Sequence, residues 1–181
     1  MLYQIYENQR SIMEPFADLA EVAAKLYNNP ALPLAQFPLA QRVAAGYDLM
    51  HRLAKDYEKP QFDIRTAVVD GVAVAVQEQV AITKPFCRLL RFKRYSDDAR
   101  VLGIMKDQPV ALVVSPLSGH HATLLRDTVK SLLQDHKVFI VDWTDARMVP
   151  VDQGPFHLDD YVAYVQEFIR HIGPEVHVIS V

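Results

Sequence analysis

Residues with chemical potential fall in a few separate places along the chain, and no single place holds a complete site. The loop Ser115-Pro116-Leu117-Ser118-Gly119-His120-His121 follows the apolar run Val110–Val114 and leads into a helix. Acyl transfer builds negative charge on a carbonyl oxygen, and a strand-to-helix loop of this kind can aim backbone N–H groups at it. Leu117 and Ser118 are the candidates for that donor. His120 and His121 invite a metal or general-base reading, but adjacent residues at a helix start do not face each other. No Asp, Glu or Cys lies at ligand spacing on the next turn, so both read as polar helix-start residues. His171, Glu175 and His177 straddle a helix end and a strand, which sets them poorly for one ion.

Asp142, Asp145 and Arg147 follow a buried strand, where open α/β sheets gather site residues at the strands' carboxyl ends. They line a substrate entrance, or an Asp–Arg pair pins the loop; pinning is the plainer reading. Asp159 and Asp160 lie about 100° apart at a helix start, where acidic side chains favour the dipole. Cys87 sits in an extended run without a helix start or neighbouring His to lower its pKa, which marks a core residue rather than a nucleophile. Ser180 stands near the end of an apolar strand, yet no glycine precedes it at the spacing of a nucleophile elbow. The chain has no Gly-rich phosphate loop, no G-x-S-x-G and no H-E-x-x-H.

The elements that must position these residues form a regular series. Val110–Val114 and Lys137–Val141 read as buried strands, the first on both faces, and Val176–Val181 reads as the final strand. A helix bearing Leu125, Val129, Leu132 and Leu133 joins the first two. A second, with Leu158, Val162, Val165, Ile169 and Ile172, joins the last two and stops at Gly173-Pro174. Strands alternating with helices predict βαβ units and a parallel sheet with right-handed crossovers. Upstream, the period is two: Ala67–Val69 and Val72–Val76 flank Asp70-Gly71, a two-residue hairpin signal, and Phe86–Phe92 adds a further extended stretch. Within that stretch Arg88, Arg91, Lys93 and Arg94 read as the solvent side of a strand.

The first sixty residues differ in character. Ile12, Phe16, Leu19, Ala23 and Leu26 repeat at helical spacing up to Asn28-Asn29-Pro30. After a proline-punctuated link, Leu39, Val43, Tyr47, Met50, Ala54 and Tyr57 do the same up to Pro60. Two such helices need a surface to cover, either as a cap on the following domain or as a pair that docks on a hydrophobic particle. The predicted organisation is a helical cap segment over 1–60 and an α/β domain over 61–181.

Composition bounds the function classes. Half of the 181 residues are hydrophobic and the net charge is −3, so bulk charge recruits neither nucleic acid nor an anionic membrane. One cysteine excludes an internal disulfide and suits a reducing cytosol. Residues 1–10 carry no signal-peptide h-region, and no apolar run approaches the ~20 residues of a membrane span.

Taken together, the runs Lys84–Leu90, Ser115–His120, Asp142–Pro150, Gly154–Val162 and His177–Val181 resemble the intracellular polyhydroxyalkanoate (polyhydroxybutyrate) depolymerases. The resemblance spans the chain. It implies an α/β-hydrolase fold, entered through antiparallel strands and truncated before the nucleophile elbow, behind an N-terminal helical segment. It implies hydrolysis of storage polyester at cytoplasmic granules, with the granule polyester as partner and without metal or other cofactor. Members of that family are about twice as long, with a cysteine nucleophile that would follow directly after Val181 and the Asp and His of the triad later still. No catalytic residue is therefore assigned within the chain, which alone is expected to be inactive. Its last strand, 176–181, is expected to be an exposed edge open to self-association. A polyester synthase-like acyltransferase fragment and a non-catalytic granule-binding module are the alternatives.

Overall fold

The computed structural model describes residues 2–33, 37–54, 59–117 and 121–180. It divides into two compact units, Met1–Glu58 and Lys59–Val181. The first is a hairpin of two helices, α1 (Leu2–Tyr27) and α2 (Pro38–Ala54). They run antiparallel: the carbonyl of Ala17 lies 3.0 Å from His51 Nδ1, while Tyr27 stacks on Tyr47. Their seam is built of alanines, with Ala17, Ala20 and Ala24 of α1 and Ala40, Ala44 and Ala54 of α2 all buried. The large residues that periodicity marked as the packing stripe, Ile12, Phe16, Leu19 and Leu26, are exposed instead. Alanine is the strongest helix former and brings two backbones close, so the small face can make the seam and leave the large one outward.

The second unit is mixed α/β. Its elements in order are β1 (Thr66–Val69), β2 (Val72–Thr83), β3 (Cys87–Tyr95), α3 (Ala99–Asp107), β4 (Val110–Val114), α4 (Arg126–Leu132), β5 (Lys137–Trp143), α5 (Leu158–Ile172) and β6 (Val176–Ser180). The six strands form one sheet in the order β1-β2-β3-β5-β4-β6. β1, β2, β3 and β5 pair antiparallel in succession, whereas β4 is parallel to both β5 and β6. The expected parallel sheet is thus the part formed by β5, β4 and β6. At the hairpin turn Asp70 and Gly71 have φ of 48° and 78°, as a two-residue loop with both central residues left-handed requires.

The chain leaves β4 toward β5 on one side and returns across β4 to β6 on the other. Crossovers that advance in opposite directions put their helices on opposite faces. Accordingly Val129 of α4 packs with Phe62, Leu90, Phe92, Val113 and Ile140 on one face. Phe168 of α5 packs with Cys87, Leu89, Leu112, Val141 and Trp143 on the other.

Three features depart from the sequence reading. α3 went unread: Asp98 caps it, accepting from the N–H groups of Arg100 and Val101 at 2.8 and 3.2 Å. Its Val101 and Met105 cover Val69 and Val74 of the hairpin. β5 extends two residues past Val141, taking Asp142 and Trp143 into the sheet. β3 lies inside the sheet, so its cations are not simply a solvent face: Arg94 is buried and donates to the Leu133 carbonyl at 2.6 Å. β6 ends the sheet, with Val178 exposed; Val181 lies outside the described residues.

Candidate functional site

Strand register brings the carboxyl ends of β4, β5 and β6 to one rim, since Val114 pairs with Val141 on one side and Ser180 on the other. The first turn beyond β4 is tied down there. The buried Ser115 hydroxyl donates to the Val141 carbonyl, and the Trp143 indole N–H donates to the Ser115 carbonyl at 3.0 Å. These two bonds hold the start of the loop against the end of β5.

Above that rim lies a cavity of about 570 Å³, lined by Phe86, Leu117, His121, Trp143, Asp145 and Phe156 among others. Its wall is aromatic. Phe86 and Phe156 stack at 4.5 Å between centroids, Trp143 stacks on Tyr161 at 4.6 Å, and Trp143 and Phe156 lie 6.0 Å apart. A neighbouring cavity of about 450 Å³ shares Phe86 and Ala146 and continues along Val149, Pro150, Val151 and Pro155. The exposed apolar side chains of Leu117 and Val151 belong to these two linings. The pair makes an extended apolar groove with a few polar groups at one end, the usual character of a small-molecule or chain-binding site.

Of the residues singled out from sequence, Leu117, His121 and Asp145 line this cavity. Ser118 lies outside the described residues, as does His120, and so does the side chain of Arg147. Asp142 does not line it. Successive strand residues face opposite sides of the sheet, so Trp143 turns toward α5 and Asp142 away from it. There the Asp142 carboxylate is 1% exposed and accepts from Lys59 and, at 2.8 Å, from Arg88. Asp142 is thus a buried anchor that joins the start of this unit to β3 and β5, beside a separate cavity of about 630 Å³ that it lines with Lys59 and Arg88.

Burial, and next to it the negative charge of Asp142, push the Cys87 thiol up to about 12. A thiol so buried stays protonated and is no nucleophile. Burial likewise raises the hydroxyls of Tyr161 and Tyr164 and the carboxyl of Glu78, the last also through Asp142. Asp160 accepts from the His157 N–H at 2.8 Å and so caps α5. Among the described residues no group of three His, Cys, Asp or Glu could hold a metal ion, and no helix is long and apolar enough to cross a membrane.

Sequence reasoning did not find Phe86 or Phe156 as cavity residues, and it read His121 only as a polar residue at a helix start. Phe86 and Phe156 are far apart in the chain, and only the pairing of β3 with β5 and the docking of α5 bring them together. No protein-family description, curated protein or solved structure matches this chain.

Proposed function

We propose that the α/β unit is the first part of an α/β hydrolase that cleaves the ester bonds of polyhydroxyalkanoate storage polyester. The observation that carries this reading is the aromatic groove at the carboxyl ends of β4 and β5, bounded by the Leu117 loop. Its length and apolar walls suit a neutral aliphatic polyester chain better than a small polar metabolite. Strand order supports it too. Antiparallel strands lead into β5-β4-β6, with the later strand β5 inserted between β3 and β4, an order compatible with a hydrolase sheet.

In this reading the nucleophile follows β6, alongside the end of β4 that carries the Leu117 loop. It attacks the ester carbonyl carbon, and the oxygen that becomes negative accepts from a backbone N–H of Leu117 or Ser118 and from one after the nucleophile. The alcohol end of the polymer leaves with a proton from the triad histidine, and water then releases the acyl group. Asp145 and His121 serve at the polar end of the groove, where the leaving hydroxyl emerges. Nucleophile, acid and histidine are not assigned to any of residues 1–181, and these residues alone are expected to be inactive. Granule association in the cytoplasm follows from the substrate.

The test is release of 3-hydroxybutyrate from amorphous polyhydroxybutyrate granules by the product of the whole reading frame, beside the 181-residue chain. The expected result is release by the first and none above background by the second, with loss on substituting a cysteine that follows β6. Absence of release from the whole product sinks the proposal. Chain growth from a hydroxybutyryl thioester would make the protein synthase-like, and granule binding without turnover would make it a binding module.

A further inference from the structure

The helical hairpin of residues 2–54 carries a second, separate surface. On α1 the exposed Ile5, Ile12, Leu19 and Leu26 follow one another at seven-residue intervals, with Phe16 beside them. On α2 Leu39 and Leu53 stand fourteen residues apart with Gly46 midway, and Leu49 and Met50 fill the stripe. Ile12, Leu19 and Leu39 are 71, 67 and 71% exposed. At ~100° per residue each stripe lies about 120° around its helix from the alanine seam, and in the same rotational sense. Because the two helices run antiparallel, equal offsets in the same sense bring both stripes to one side of the hairpin. The result is a two-helix apolar face.

We infer that this face is covered by the same face of a second copy, giving a four-helix bundle about a two-fold axis. Three observations choose that occupant. The seven-residue interval is the repeat by which helices pack on helices, whereas lying on a flat apolar surface needs only an arc. The nine side chains, each contributing ~100 Å², give about 900 Å² per copy, enough for a stable dimer. The charges do not border the face as a lipid-seeking surface would have them: Glu21 pairs with Lys25 at 2.7 Å and Asp48 with Arg52 at 2.9 Å, both on the opposite side of the hairpin by the same projection. Of the described charged residues only Arg42 falls within the face by this projection, so there is no cationic rim to meet anionic headgroups.

The test is the mass of the full chain by sedimentation equilibrium from about 1 to about 100 µM. The expected result is twice the chain mass at the upper end. Either Leu19→Glu or Leu53→Glu, both at exposed positions clear of the alanine seam, should raise the dissociation constant ~100-fold or more without loss of helical circular dichroism. Val178→Lys, on the sheet edge, should leave the dimer intact. A wild-type monomer at every concentration overturns the inference. So does a dimer that survives Leu19→Glu and Leu53→Glu but not Val178→Lys, which would assign association to β6. A monomer that sediments with polyester granules, and stops doing so on Leu19→Glu, overturns it in favour of a surface-docking face.

Discussion

Removing both cations around Asp142 should damage the α/β unit more than removing Asp142 itself. The asymmetry follows from who is buried: the Asp142 side chain is 1% exposed, but Lys59 and Arg88 are 25% and 44% exposed. In the single variants Lys59→Met and Arg88→Met the carboxylate keeps one partner, and each should cost about 1–2 kcal/mol. The double variant leaves a buried anion with no cation and should cost about 3–5 kcal/mol, more than the two singles added. Asp142→Asn, by contrast, frees two cations that can turn to water, and should cost only about 1–2 kcal/mol. Adding Asp142→Asn to the double variant should then recover about 2 kcal/mol or more, since no bare charge remains. Urea unfolding at neutral pH followed by far-ultraviolet circular dichroism reads these differences as midpoint shifts of up to ~2 M. If the double variant costs no more than either single, or if the triple variant is no more stable than the double, the anchor reasoning is wrong.

Three further outcomes are expected. Phe168→Ala, at a fully buried position beneath Leu112 and Val141, should lower stability by about 3–5 kcal/mol in the same assay. Asp98→Ala removes the side chain that accepts from Arg100 and Val101 and should cost about 1 kcal/mol, whereas Asp98→Ser should cost less. The Cys87 thiol, at about 12 in the folded protein against 9.0 ordinarily, gives the fold an alkaline limit. The unfolded chain loses that proton first, so the contribution is whole below pH 9 and shrinks as pH rises toward 12, by up to ~1.4 kcal/mol per unit. Cys87→Ala should flatten that alkaline decline in urea midpoints measured from pH 8 to 11, and an unchanged slope would rule the thiol out as its source.

Local rules made much of the α/β unit legible. Asp70-Gly71 specifies its turn through two left-handed residues, and Gly173, at φ 122°, stops α5 where its apolar repeat ends. Val110–Val114 reads as buried because nothing polar interrupts it. The same rules fail where the decisive neighbour is remote. Nothing near Arg94 announces the Leu133 carbonyl that lets it be buried, and nothing near Asp142 announces Lys59. The hairpin of α1 and α2 shows a different limit, for periodicity reports which faces are apolar but not which of two apolar faces is used. Ala17, Ala20 and Ala24 make the seam although Ile12 and Leu19 carry more hydrophobic area. Of the candidate site, Leu117 and Asp145 could be picked out from their place after strands, while its aromatic wall needed the sheet order that no single segment encodes.

The chain's only tryptophan is Trp143. Its indole forms part of the groove wall, stacks on Tyr161 and holds the Ser115 carbonyl through its ring N–H. The protein therefore carries a built-in optical reporter at one point of functional interest and nowhere else. A ligand entering the groove should change the emission of this ring by changing the surroundings of the part that lines it. The helical hairpin, having no tryptophan, should stay dark in the same experiment, so fluorescence and helical dichroism would follow the two units separately.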